Sequence, residues 1–181
     1  KNPLLIYKNH ADFQQTNAVS SMISVGTGGV TEVMKNRVVM PFTIARAQTD
    51  HVLGHELVHA FQFTLLTGWN PDTTISPSLR NLPLWMVEGM AEYLSIGPVD
   101  PTTAMWIRDG ILNDDFPTLK DLQNPKYFPY RWGHSFWSMV AQTWGDTVIA
   151  PIFMQTALYG YEKAIDSILG VSPETLSNMW K

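Results

Sequence analysis

The chain has 181 residues, 45% of them hydrophobic and 15% charged, which is sufficient for one globular domain with a sizeable core. A formal net charge of −4 and the lack of any Lys/Arg run argue against a nucleic-acid-binding protein, and the absence of cysteines excludes disulfides. The sequence shows no signal peptide or membrane-spanning segment and begins at Lys1, which indicates a mature or excised segment.

The N-terminal part of the chain predicts a small β-sheet. Strands are predicted at residues 3–7, 30–34 and 37–42, and Asn9 is predicted to open a short helix at residues 10–16. The glycine-rich residues 25–29 are not followed by the Lys-Ser/Thr and helix of a phosphate-binding loop, so we reject a nucleotide site. A strand edge beside a metal instead lets an extended peptide pair through main-chain hydrogen bonds.

The segment His55-Glu56-Leu57-Val58-His59 carries the strongest chemical signal of the sequence. On an α-helix, residues i and i+4 share a face, so His55 and His59 can both point at one metal ion. Glu56 lies roughly 100° further round the helix. At this position Glu56 is better suited to act as a general base on a water bound to the ion than to be a third ligand.

The helix that carries this motif is predicted at residues 49–66, with Thr49 or Asp50 as its cap and Gly68 at its end. It is apolar nearly all round, which predicts a buried central helix. Buried histidines need partners, and the alternative to a metal is a hydrogen bond between them within the core. His51 shares their face and is expected to be a packing neighbour rather than a further ligand, because a catalytic zinc keeps one position open.

A second mostly apolar helix is predicted at residues 84–94, and it carries Glu88 and Glu92 four residues apart on one face. One of these carboxylates can bind the ion while the other accepts the free N–H of a ligating histidine. The alternative is a solvated acidic face, although the apolar neighbours leave little such face. A tetrahedral catalytic zinc site needs a third protein ligand, and this helix is the candidate source of it.

The remaining sequence predicts a long surface loop followed by helices. The loop covers residues 67–83 and includes Trp69, either as a tethering aromatic residue or as a substrate contact. Helices are predicted at residues 101–112, 118–122, 131–144, 146–159, 161–169 and 173–180. Most aromatic residues between 127 and 144 are expected in the core rather than in a stacking wall for ligands.

Two side chains in this region, Tyr130 and His134, have the chemistry to stabilise an oxyanion. Peptide hydrolysis at zinc passes through a tetrahedral oxyanion, and a Tyr O–H or an imidazolium aimed at that oxygen lowers the barrier. No spacing rule places either residue at the metal. Catalytic and structural roles therefore both stay open, with a slight preference for Tyr130.

The chain resembles the gluzincin zinc metallopeptidases, and among them the bacterial peptidase-MA-like domains often joined to a TolB-type β-propeller. The resemblance runs through most of the chain, in residues 55–59, 85–93, 128–137 and 144–146. It implies that His55, His59 and Glu88 are zinc ligands, that Glu56 is the general base and that Glu92 supports a ligand. The interval from His59 to Glu88 is longer than in the best-known gluzincins.

One motif of the related aminopeptidases is only partly present. Their Gly-x-Met-Glu-Asn sequence, whose Glu grips the free amine of the substrate, resembles residues 29–33. Gly29 and Glu32 match it, but Thr31 stands where Met is expected and Val33 where Asn is expected. Aminopeptidase specificity is therefore not implied. Glu32 is expected to be an ordinary exposed strand acid rather than a substrate anchor.

These observations predict an α+β, zincin-like domain spanning residues 1–181. A small mixed sheet packs on the metal-binding helix over about residues 1–68, and a mainly helical half covers about residues 84–181. The predicted function is a peptidase with one zinc ion that acts on a peptide or protein substrate. The alternatives are a non-catalytic zinc-bearing module that binds a peptide or partner, and a zinc hydrolase of a non-peptide bond. By the resemblance, the protein is exported from a bacterium and adjoins a propeller domain.

Overall fold

The computed structural model describes residues 3–67 and 80–181. The chain divides into two compact units, Lys1–Thr74 and Ile75–Lys181, and each is described by itself. The division falls within the predicted loop 67–83, most of which, including Trp69, lies outside the described residues. Helices and a small sheet make the architecture α+β, as predicted.

The sheet of the N-terminal unit has three strands and is mixed, as predicted. The strands are β1 (Leu4–Tyr7), β2 (Val30–Glu32) and β3 (Arg37–Pro41), in the order β1-β3-β2. β1 runs parallel to β3, with Leu4 opposite Val38, and β2 runs antiparallel to it, with Val30 opposite Val39. The tight turn between β2 and β3 places Asn36 at a φ of 49°, a left-handed conformation that Asn tolerates well.

A short helix, α1 (His10–Gln14), covers the sheet and completes a small core. Asn9 caps it as predicted, because its side-chain oxygen accepts a hydrogen bond from the Asp12 N–H at 2.9 Å. Phe13 is fully buried on this helix, and it packs with Val19, Ile23 and Val39. Burial of these four apolar side chains ties the helix and the following loop to the central strand.

The helix that carries the two histidines, α2 (Arg46–Thr67), packs against β3 and β2. It begins three residues before Thr49, whose hydroxyl accepts a hydrogen bond from the Thr43 N–H instead of acting as the cap. The prediction of a helix buried on all sides is wrong. Leu57, Phe61 and Leu65 are 39%, 62% and 42% exposed, and their spacing of four residues makes them one surface stripe.

The C-terminal unit consists of helices. They are α3 (Leu84–Ile96), α4 (Pro101–Leu112), α5 (Pro129–Trp144), α6 (Ile149–Tyr159), α7 (Tyr161–Leu169) and α8 (Pro173–Trp180). Four predicted boundaries need correction. Helix α3 extends two residues beyond the predicted 84–94, and residues 146–148 of the helix predicted at 146–159 form a separate 3₁₀ turn before α6. The helix expected at 118–122 is only a 3₁₀ turn at Asp121–Gln123, and α5 begins two residues early because Pro129 fits the first helical turn.

Helices α3 and α5 approach each other very closely at two glycines. A Cβ added to Gly133 would lie 2.0 Å from the Trp85 carbonyl oxygen, and one added to Gly89 would lie 2.2 Å from the Gly133 carbonyl carbon. The Trp137 indole N–H donates to the Met86 carbonyl oxygen at 2.9 Å across the same interface. Side chains larger than hydrogen therefore do not fit at this crossing.

Of the seven aromatic residues between 127 and 144, three lie in the core, fewer than predicted, and Phe128 is 41% exposed. Trp132, Phe136 and Trp137 are each less than 5% exposed. The Trp132 and Phe136 rings both contact the ring of Trp180 edge to face, which docks the last helix onto α5.

Candidate functional site

The two histidines of the motif face each other on α2. The Nε2 atoms of His55 and His59 lie 3.0 Å apart, and both side chains are buried. Two nitrogen ligands on a tetrahedral zinc, with Zn–N bonds of about 2.05 Å, lie about 3.3 Å apart. The pair therefore has nearly the separation that a shared ion requires. His51 lies further along the same face, with its ring centre 6.3 Å from that of His55.

Gln62 determines which nitrogen of His59 is available to a metal. The side-chain oxygen of Gln62 lies 2.8 Å from Nδ1 of His59, and Gln62 is fully buried. An amide oxygen only accepts, so Nδ1 carries the proton and a neutral His59 presents its lone pair at Nε2. The sequence reasoning missed Gln62, although its position three residues after His59 on the same helix was a readable signal.

Glu56 is held against β2 by contacts within the N-terminal unit. The Thr31 hydroxyl lies 2.6 Å from Oε2 of Glu56 and 2.9 Å from the main-chain oxygen of the same residue. On the other side, a Cβ added to Gly29 would lie 2.7 Å from Cγ and 2.9 Å from Oε1 of Glu56. The carboxylate thus belongs to the residue that follows His55 on α2. It occupies a space that is open only because residue 29 has no side chain.

Glu32 has a local role within the hairpin. Its carboxylate accepts hydrogen bonds from Arg37 Nε at 2.5 Å and from Lys35 Nζ at 2.9 Å. Burial alone raises the pKa of Glu32, but the hydrogen bonds and charges of Arg37 and Lys35 outweigh it, so the pKa lies below its ordinary value. An anionic Glu32 paired across the turn fits the expected strand acid, although its side chain is only 13% exposed.

The acidic helix of the C-terminal unit holds Glu92 in an ion-pair network. Glu92 is 2% exposed, and its Oε2 accepts a hydrogen bond from Arg131 Nη1 at 2.9 Å. The same Nη1 lies 3.2 Å from Oδ2 of Asp100, which also caps α4 by accepting from the Thr103 N–H at 2.7 Å. Glu88, one turn earlier on α3, is half-buried. The alternative of a solvated acidic face does not fit Glu92, because this residue is buried and paired.

We expect Arg131→Met to destabilise the protein by about 3–5 kcal/mol, because it removes the guanidinium that pairs with the buried Glu92 carboxylate. For a chain of this size that corresponds to a fall in Tm of roughly 6–20 °C. Thermal unfolding measures the effect, and Arg108→Met is the matched control, because Arg108 is an exposed arginine on α4. A loss below about 1 kcal/mol, no larger than in the control, contradicts a stabilising role for the Arg131 pair.

Tyr130 and His134 differ in what their polar atoms can do. His134 is 1% exposed and its Nε2 donates to the Gly97 carbonyl oxygen at 2.8 Å, so a neutral ring presents only an acceptor at Nδ1. Nδ1 is itself buried and has no hydrogen-bond partner among the described residues. Tyr130 is half-buried near the start of α5, and its ring stacks on Phe128. Tyr130 carries a hydroxyl group and is less buried than His134.

Two motif residues that are far apart in sequence meet in the C-terminal unit. The hydroxyl of Tyr93 donates to Asp146 Oδ1 at 2.6 Å. Burial and this hydrogen bond raise the pKa of Tyr93 to about 12, so the hydroxyl keeps its proton at neutral pH. The contact anchors α3, which carries Glu88 and Glu92, to the turn that follows α5.

The comparisons with known proteins give no match: no family model, no curated protein and no solved structure is significantly similar to this chain. Among residues 3–67 and 80–181, no helix combines the length and hydrophobicity needed to cross a membrane.

Proposed function

We propose that this protein is a zinc-dependent peptidase of the gluzincin kind, with a zincin-like fold. The observation that carries the proposal is the arrangement on α2, where two imidazole Nε2 atoms lie 3.0 Å apart and a carboxylate occupies the adjacent position. A protein that only binds zinc has no need of a carboxylate held in this way. The combination is the one that metal-assisted hydrolysis uses.

The proposed ligands are His55, His59 and Glu88. Two imidazoles and one carboxylate form a donor set that suits zinc and leaves a fourth position for water. Support for the histidines comes from their facing Nε2 atoms and from Gln62, which directs the lone pair of His59. Support for Glu88 comes from its place on a mostly apolar helix, one turn before the buried Glu92. When bound, the zinc supplies Lewis-acid activation of the water and the scissile carbonyl.

The protein's own residues supply the proton transfers and the orientation of the substrate. Glu56 takes the proton of the attacking water and passes it to the leaving amine. Strand β2 is an edge strand of the described sheet, and a substrate in extended conformation is proposed to pair with it. Tyr130 is the proposed donor to the oxyanion of the tetrahedral intermediate.

We expect about one zinc per chain in the purified wild-type protein, measured by elemental mass spectrometry, and little in His59→Ala. Glu88→Ala is expected to weaken zinc binding by about 10-fold or more in a titration against a competing chelator, because one of three protein ligands is lost. His10→Ala is the matched control, since His10 binds the Thr27 carbonyl oxygen and not another histidine.

Three outcomes of this measurement oppose the proposal at different points. No metal in the wild type, even after incubation with zinc, means that the two histidines serve hydrogen bonding and packing within the core and hold no ion. An unchanged zinc affinity of Glu88→Ala removes Glu88 from the ligand set. Equal losses in His10→Ala and His59→Ala show that the effect is not specific to the motif.

The substrate class is tested with fluorogenic peptides that have free or blocked termini. Cleavage of doubly blocked peptides identifies an endopeptidase, and cleavage that needs a free terminus identifies an exopeptidase. Binding of these peptides without cleavage by the zinc-loaded protein supports the module that binds a peptide or partner. Zinc-dependent cleavage of ester substrates with no peptide cleavage supports a hydrolase of a non-peptide bond.

A further inference from the structure

Thr31 is the residue of β2 that contacts the proposed general base. Its hydroxyl lies 2.6 Å from Oε2 of Glu56 and 2.9 Å from the main-chain oxygen of Glu56. The distance to Oε2 is that of a strong hydrogen bond to a charged oxygen. One short side chain therefore reaches both the carboxylate and the helix backbone of the same residue.

The space for this contact is made by Gly29, two residues before Thr31 and immediately before β2 begins. A Cβ at Gly29 would lie 2.7 Å from Cγ and 2.9 Å from Oε1 of Glu56, closer than real Cβ contacts allow. The Glu56 side chain thus lies between Gly29 and the hydroxyl of Thr31. Its neighbours hold it on two sides, so few of its rotamers stay accessible.

We propose that Thr31 is a positioning residue that fixes the orientation of the Glu56 carboxylate for proton transfer. The inference rests on the proposed peptidase function. A glutamate side chain has three rotatable bonds, and a general base must lie within about 3 Å of the proton that it takes. The hydroxyl restricts these rotations before substrate binds. The Glu56 side chain therefore loses less conformational entropy when the reaction reaches its transition state.

The test compares Thr31→Val, which keeps the shape of the side chain but removes the hydroxyl, with Thr31→Ser, which keeps the hydroxyl. With a blocked fluorogenic peptide that the wild type cleaves, we expect kcat of Thr31→Val to fall by roughly 10- to 100-fold. KM is expected to stay within about twofold and zinc content at about one per chain, because neither binding group has changed. Thr31→Ser is expected to recover kcat to within about threefold of the wild type.

Thr64→Val is the matched control for losing a threonine hydroxyl. Thr64 also lies on α2, but its hydroxyl donates to the Ala60 carbonyl oxygen of its own helix at 2.8 Å. Its kcat is expected to equal that of the wild type. Should Thr31→Val fail to fold by circular dichroism, Thr31→Ala repeats the test without adding a methyl group.

A second readout does not depend on turnover. In a crystal structure of Thr31→Val, the Glu56 side chain is expected to adopt a different rotamer. In a crystal structure of Thr31→Ser, it is expected to keep the rotamer of the wild type. Unchanged kcat and an unchanged Glu56 rotamer in Thr31→Val overturn the positioning role and leave the peptidase proposal intact. If the wild type cleaves no peptide, the proposed function fails. The two structures then still decide whether Thr31 fixes Glu56.

Discussion

Glu56→Gln is expected to retain about one zinc per chain while its kcat/KM falls by on the order of 10²- to 10⁴-fold. The amide has nearly the shape of the carboxylate and still offers an oxygen to the Thr31 hydroxyl, 2.6 Å away in the wild type. It cannot accept the proton of the attacking water, so the loss falls on the chemical step. Steady-state kinetics on the blocked fluorogenic peptide, with metal analysis of the same sample, measures both quantities.

The control for this substitution is Glu174→Gln, which changes an exposed glutamate near the C-terminus and should leave kcat/KM as it is. Wild-type turnover in Glu56→Gln removes Glu56 as the base. Loss of zinc together with activity gives it a role in metal binding instead. A role of Glu56 as the base can be distinguished from a role in metal binding, because zinc content is measured independently of cleavage.

Gly133→Ala is expected to destabilise the protein by about 3 kcal/mol or more. The new methyl group would lie 2.0 Å from the Trp85 carbonyl oxygen, a backbone atom that moves only if α3 and α5 separate. Intrinsic helix propensity favours alanine over glycine by about 1 kcal/mol, so the steric term has to exceed this gain. Chemical denaturation followed by circular dichroism measures the free energy of unfolding.

Gly26→Ala is the matched control. A Cβ at Gly26 would have no atom within 4 Å, so no steric constraint requires glycine at this position. A stabilisation of about 1 kcal/mol in Gly133→Ala contradicts the close crossing of α3 and α5. A large loss supports it. Because α3 carries Glu92 and α5 carries Arg131, the crossing also sets the 2.9 Å contact between these two residues.

Local signals in the sequence predicted most of the elements. Asn9 marked the start of α1 correctly, and the predicted start of α4 at residue 101 is correct because Asp100 caps it. Each of these two side chains accepts a hydrogen bond from an N–H three residues later. The strands predicted at residues 30–34 and 37–42 are present as β2 and β3, although β2 ends at Glu32 and the turn between them covers residues 33–36. Such features depend on a few neighbouring residues, so a single sequence contains what is needed to recognise them.

Burial was harder to predict, because it depends on what packs against an element. Helix α2 is apolar on most sides, yet Phe61 is 62% exposed while Gln62 beside it is fully buried. Hydrophobicity alone predicts the opposite, with Phe61 in the core and Gln62 at the surface. Gln62 is buried because its amide oxygen serves Nδ1 of His59, a pairing that becomes visible only when both side chains are placed.

The sequence by itself determined the chemistry of the candidate site on α2. The spacing of His55 and His59 places both on one face of any α-helix, and Glu56 necessarily follows one position on, because helix geometry depends only on position along the chain. Only the tertiary structure decided that Thr31 and Gly29 enclose Glu56 and that Arg131 and Asp100 pair around Glu92. Those contacts join residues 25 to 39 positions apart, and the packing of strands and helices brings such residues together.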